Sequence, residues 1–166
     1  AKRRALFRRL AQAGGLFKVA LLQDRHVGFA YGLPIDVSSW GPLGQDLMVI
    51  PCLLSLDEAA GRSVGRRLVE SIEHESRQAG FDGVTMTAYR NIPGAEWFMP
   101  AAFFERLGYQ VVDERGRQAL LWKPFSEDAV PPHFLQPHFV FQPVEGAVAV
   151  DLFWNGFCQT SAIEAQ

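Results

Sequence analysis

At 166 residues the chain has room for one domain with a full core, and its 48% hydrophobic and 20% charged residues are ordinary globular proportions. A net charge of −2 creates no field that would gather nucleic acid, and no apolar run approaches the roughly 18 residues of a membrane span. The two cysteines, Cys52 and Cys158, stand far apart, which argues against a small disulfide scaffold and for a reducing, cytoplasmic setting.

The basic start, Ala1–Leu10, has the composition of a transit peptide but reads better as a surface helix with its Arg and Lys in water and Leu6, Phe7 and Leu10 inward. Gly14-Gly15 ends it. With no initiator Met and no leading strand, the chain is expected to begin inside a longer protein. Leu16–Gln23 and Val27–Leu33 read as a hairpin turning at Asp24-Arg25-His26, and Ile35–Asp46 as a loop. Leu47–Leu54 is nearly all apolar and is expected to be a strand buried on both faces, with a bulge or a lost ladder partner at Pro51.

A helix follows from about Arg62 to Ala79 with Val64, Leu68 and Ile72 on one face. Arg66–Glu70 and Glu73–Arg77 are expected as pairs on its exposed side, and Gly80 as its stop. Val84–Ala88 is a further strand, and 91–99 a loop. Pro100 opens a short helix whose inner face is expected to carry Ala102, Phe103 and Leu107, with Gly108 ending it. Tyr109–Glu114 and Gln118–Trp122 form a second hairpin around Arg115-Gly116-Arg117. Alternating strands and helices define an α/β domain with a mixed sheet. Residues 126–146 are Pro-rich and read as an extended linker. Residues 147–166 hold an apolar strand, a turn and a helix start, too little for a core of their own, and read as the truncated opening of a second domain.

The segment Cys52–Glu70 is the most informative. An apolar strand enters a Gly/Arg/Ser loop that runs straight into a helix, which aims unpaired N–H groups and a positive dipole end at one spot, a phosphate site. The loop is neither a P-loop nor a dinucleotide fingerprint. Ala60-Gly61-Arg62-Ser63-Val64-Gly65 resembles the acyl-CoA loop of GNAT-type N-acyltransferases, Gln/Arg-x-x-Gly-x-Gly/Ala, with Ala60 in place of Gln/Arg and Ser63 in place of the first Gly. Phe103-Phe104-Glu105-Arg106-Leu107-Gly108-Tyr109 resembles the same family's aromatic helix without a gap. The resemblance covers residues 1–125, less the family's first strand and helix.

This resemblance implies a GNAT-type mixed, mostly antiparallel sheet flanked by helices and splayed between the central strands. It implies acetyl-CoA as co-substrate, its diphosphate on the amides of Gly61 to Gly65 and its pantetheine arm along the main chain of Leu53, Leu54 and Ser55. Ala60, Arg62, Ser63, Val64 and Arg66 complete the cofactor set, the two arginines as charge-assisted contacts or as solvated helix surface. It further implies transfer of the acetyl group to a primary amine by direct attack, with an oxyanion donor near Leu53.

A primary amine is free base in only about one molecule in 2,500 at pH 7, so a base should help. Glu96, beside Trp97 where desolvation would raise its pKa, is the candidate, or an exposed loop carboxylate. The family's thiolate-protonating Tyr falls on Phe104, which has no proton to give, leaving Tyr89, Tyr31 or water to substitute. Asp57 and Glu58 read as helix-start charges, Cys52 as a core residue, and His74 as solvent-facing. His26, His133 and His138 show no metal spacing, and no metal is expected. Trp40, Tyr31 and Trp97 either wall an acceptor pocket or are packed lids.

Cys158-x-x-Ser161, at a helix start, resembles a one-cysteine thioredoxin motif, and the tail resembles the start of the thioredoxin-like C-terminal extension of YoaP type that some GNAT proteins carry. Two rival readings follow: a non-catalytic acyl-CoA sensor, and a thiol-redox protein acting through that extension. The acceptor, a small molecule or a peptide amine, is open. The last hairpin offers an edge for pairing with a second copy, and neither nucleic acid nor membrane is expected as a partner.

Overall fold

The computed structural model describes residues 2–39, 41–136, 142–148 and 150. The element order is α1 (Lys2–Gln12), β1 (Leu16–Leu22), β2 (Arg25–Pro34), β3 (Leu47–Ser55), α2 (Val64–Gln78), β4 (Gly83–Tyr89), α3 (Ala101–Glu105), β5 (Gln110–Arg115) and β6 (Gln118–Pro124). The strands form one six-stranded sheet in the order β1-β2-β3-β4-β6-β5. Only β3 and β4 run parallel; every other pairing is antiparallel. This is the mixed, mostly antiparallel sheet expected from the sequence.

Each helix stops at the glycine expected of it. Gly14, Gly80 and Gly108 take φ of +90°, +85° and +87°, and the residue after each donates back to a carbonyl five positions earlier: Gly15 to Leu10, Phe81 to Ser76 and Tyr109 to Phe104. These are Schellman ends, open to Gly at no steric cost. The first hairpin turns one residue earlier than expected, at Gln23-Asp24, both with positive φ.

The sheet has two differently covered faces. On one, Leu68, Val69 and Ile72 of α2 and Phe104 of α3 pack against Met48, Ile50, Val84, Met86 and Leu121. On the other, Leu10 of α1 meets Leu33, and Ile35 and Ala129 meet Leu47, Val49 and Trp122. The start of the segment expected to be a free linker is therefore packed. His133 and Leu43 exchange backbone hydrogen bonds of 2.9 and 3.0 Å, and Phe134, 8% exposed, receives the Arg115 guanidinium over its ring. Phe134 and Ala129 supply the apolar anchors that a proline count does not register. Trp40, His138, Cys158 and Ser161 lie outside the described residues, as does most of the segment expected to open a second domain.

Two packing expectations fail. On α3 the buried residues are Ala101 and Phe104, while Ala102 is exposed, because the helix presents the residue after Pro100 inward. On α2, Glu73 is not at the surface. It is 8% exposed, accepts a 2.9 Å hydrogen bond from the Tyr109 hydroxyl and is paired with the Lys123 ammonium at 2.9 Å. Lys123 also donates to the Leu107 carbonyl. Arg77 lies over the Phe125 ring, 4.1 Å from its centroid, instead of pairing with Glu73. The network joins α2, the end of α3 and β6.

Burial first, and the Glu73 carboxylate second, hold the Tyr109 phenol well above its ordinary 10.0. The folded protein keeps that proton where the unfolded chain has released it, so stability falls as pH climbs past about 10. Denaturant unfolding should show this alkaline loss in the native chain and a flatter profile in Tyr109→Phe. Glu73→Ala, which strands an ammonium and a hydroxyl, should cost about 2–3 kcal/mol at neutral pH.

Candidate functional site

The site begins with a break in the sheet. Between Tyr31 and Leu33 the β2–β3 register shifts, so that Ile50 and Pro51 together oppose Gly32. Pro51 has no N–H for a ladder, and the bulge is the local solution the sequence predicts there. Past the bulge, β3 leaves β4: their pairing is limited to Leu47–Gly83, Met48–Val84 and Val49–Thr85. The first half of β3, Leu47–Ile50, is buried; the second, Pro51–Leu54, is half-exposed. The expectation of burial on both faces thus holds only up to the bulge.

Beyond the split, the far edge of β3 faces a gap instead of a strand. The Tyr89 N–H donates to the Met99 carbonyl (2.9 Å), which carries the 97–100 segment along the end of β4. Between that segment and β3 lies a cavity of about 170 Å³, lined by Leu53, Leu54, Ser55, Gly65, Trp97, Met99, Pro100 and Phe103. It continues, through Ser55, Gly65 and Phe103, into a groove of about 320 Å³ bounded by Ala59–Gly61, Ser63–Arg66, Arg106 and Leu107. The close approach of α3 to α2 at this junction needs the glycine, since a Cβ at position 65 would stand 3.3 Å from the Phe103 ring.

The groove collects positive charge and backbone donors. The first helical hydrogen bond of α2 runs from the Arg67 N–H to the Ser63 carbonyl, leaving the earlier N–H groups of the turn outside the helical ladder. No acidic side chain occupies that turn. Arg66 and Arg106 line the groove, and neither forms an ion pair among the described residues. Arg106 escaped the sequence reading because another element delivers it. Arg62 lines a larger groove of about 630 Å³ on the β1 side of α2, with Lys18 and Arg67, which meets the first along Gly61, Ser63 and Val64. A positive pocket thus opens into an apolar channel with a free strand edge, which suits a ligand with a polyanionic head and an amide-bearing arm.

The candidate acid–base groups separate clearly. Tyr89 is half-buried at the open end of β4, directly across from Gln118, whose side chain hydrogen-bonds it; burial is the larger effect and raises its pKa. Phe98 packs on its ring at 5.2 Å, and Trp97 on Phe98 at 5.8 Å. Glu96 contradicts the expectation of a desolvated base. Trp97 is 68% exposed, Glu96 is exposed, and N–H groups of Glu96 itself and Gly94 hold its carboxyl below the ordinary range. The Gly94 bond is 3.0 Å. Phe104 is fully buried and lines neither cavity. Tyr31 lies opposite Cys52, and His74, Asp57 and Glu58 are exposed, Glu58 being paired with Arg25. No helix among the described residues is long and apolar enough to cross a membrane.

Comparison with solved structures finds this architecture in acetyltransferases. PaiA N-acetyltransferase from Thermoplasma acidophilum, in complex with coenzyme A, superimposes with a TM-score of 0.56 at 15% identity over 74% of this chain and 70% of its own. Ribosomal-protein-alanine N-acetyltransferase from Brucella melitensis gives 0.56 at 16% identity over 75% and 77%. An aminoglycoside 6'-N-acetyltransferase complexed with coenzyme A gives 0.51 at 17% identity over 69% and 74%. The chain has the GNAT acetyltransferase fold. Comparison of the sequence with family models finds no match, and none is found among curated proteins.

Ser63 carries the strain of the loop. Its φ of +56° and ψ of +27° are left-handed, and its hydroxyl makes no capping bond. Ser63→Gly should therefore stabilise the protein by about 1 kcal/mol, read as a shift in the urea midpoint at unchanged slope.

Proposed function

We propose that the chain binds acetyl-CoA in the continuous groove and transfers the acetyl group to a primary amine. The observation that carries this reading is the junction of three features in one path: the N-terminus of α2 with Arg66 and Arg106, the narrow Gly65–Phe103 passage, and the unpaired edge of Leu53–Ser55. A diphosphate fits the first, a slim pantetheine chain the second, and its amides the third. Coenzyme A bound to neighbours of the same fold supports the same ligand here.

In this reading the thioester comes to rest where β3 and β4 part. The amine nitrogen bonds to the carbonyl carbon as the carbon–sulfur bond breaks, and the proton it loses ends on sulfur. Tyr89 is our candidate for that last transfer because it stands at the end of β4, where the 97–100 segment of the cavity wall joins the strand, and its phenol has a proton to give. Phe104 cannot take this role, being buried and without a hydroxyl. That substitution also motivates the second reading, an acyl-CoA sensor without turnover.

Two variants test the pair of readings. Gly65→Ala should weaken coenzyme A binding roughly tenfold by calorimetry, with a fall of a few degrees at most in Tm, because its methyl narrows the passage against Phe103. Tyr89→Phe should leave that affinity intact and lower kcat about 100-fold in a free-thiol release assay. Tight binding with no release of free thiol from any amine selects the sensor, and no affinity at millimolar coenzyme A overturns both.

A further inference from the structure

The face by which an acceptor reaches the thioester follows from the layering. α2 and α3 both pack on one face of the sheet, and the groove runs between them. Cofactor and helices together block that side, so the amine must come from the other. Cross-strand register places residues directly opposite on the same face. On the acceptor face this gives two rows running to the split: Val19, Phe29, Leu54 and Phe17, Tyr31, Cys52. The rings are stacked into one surface, Phe29 on Tyr31 at 5.0 Å and Phe17 against Tyr31 at 5.5 Å. Phe7 of α1 packs on Phe17 and Tyr31, 5.2 and 5.6 Å between ring centroids, so the open part of the surface is the row Val19, Phe29 and Leu54. Val19 is 61% exposed, and Phe29, Tyr31 and Leu54 are half-exposed.

Among the described residues no carboxylate lines the cavity at the split, and several of the nearer ones are turned to other partners. Glu58 is paired with Arg25, and Glu105 and Glu114 both hold Arg90. Asp113 accepts the Phe134 N–H, and Glu96 the Gly94 N–H. Arg117 donates to the Asn91 carbonyl. His26 is stacked on Phe29 at the outer end of the surface, next to the first turn. A second ammonium on the acceptor would lose water here with no anion to meet it, a cost a site for polycations cannot carry. An aromatic or aliphatic body, by contrast, gains from covering these rings.

Resting on the proposed acetyl transfer, we infer that the acceptor is a monoamine borne on an aromatic or aliphatic body, with no second cationic centre. The apolar surface also disfavours the ammonium form of its one amine, easing release of the nucleophile where no base lines the cavity among the described residues.

The test compares phenethylamine, hexylamine and spermidine as acceptors for the native chain at fixed ionic strength, following release of free coenzyme A. Phenethylamine and hexylamine should exceed spermidine by at least about tenfold in kcat/KM. Phe29→Glu should lower phenethylamine turnover and raise that of spermidine, with acetyl-CoA affinity unchanged. Val19→Glu, at an exposed position that leaves the core intact, should shift the preference the same way. Spermidine as the preferred acceptor, or binding of acetyl-CoA with no turnover of either monoamine, overturns the inference. Loss of acetyl-CoA binding itself would instead overturn the reading on which it rests.

Discussion

The two-for-one bulge at Ile50-Pro51 is the constraint on which the rest of the structure depends. A parallel pair such as β3 and β4 would continue side by side if both edges kept their donors and acceptors in step. A proline cannot donate, and the extra residue bends the strand and increases its twist. The pairing with β4 therefore ends at Val49, and the strand's far edge is released toward a gap while its near edge stays bonded to β2. Backbone polar groups on such an edge require a partner, and past Val49 no strand among the described residues supplies one on the β4 side.

The rest of the molecule fixes what lies around that gap. α2 follows β3 through a short 3₁₀ turn, Asp57–Ala59, so its positive end is delivered beside the released edge. The Glu73–Lys123–Tyr109 network then sets α2 against α3 and β6. This matters because α3 is short and held mainly by Phe104 in the core. Its Phe103 ring forms one wall of the passage, and Gly65 the other. A partly buried ion pair is weak evidence of stability, but one that spans three elements fixes their spacing, and here that spacing is the width of the passage.

Much of this was legible in the sequence for physical reasons. Strand and helix order, the glycine stops and the bulge at Pro51 are local consequences of φ, donor count and periodicity. The loop into α2 was legible because its strand–turn–helix order belongs to the backbone, so Ala60 and Ser63 depart from the family pattern without erasing it. What stayed hidden depends on elements meeting in space. Glu73 has the spacing of a surface pair with Arg77, and nothing in α2 announces that Tyr109 and Lys123 will claim it. Arg106 and Arg62 differ in the same way: a helix dipole argument favours the arginine next to the loop, while packing turns that one toward β1 and brings the other across from α3.

The acid–base assignments show the limit most sharply. Sequence proximity to Trp97 suggests a dry carboxylate at Glu96, yet a loop residue next to an indole is desolvated only if the indole is itself packed. Trp97 is exposed, and the carboxylate turns back on its own loop to accept N–H donors. At Tyr89 the reverse holds. Tyr89 is a candidate from the sequence only because Phe104 lacks a hydroxyl; its place at the end of β4, where the 97–100 segment joins the strand, gives it a half-buried site and a Gln118 partner that no local pattern announces. In the proposed acyl transfer from a thioester the leaving thiol is acidic, and the difficulty lies in presenting an uncharged nitrogen. The answer we propose, desolvation by the apolar face of the sheet, is carried by many residues at once and is therefore invisible in any single motif.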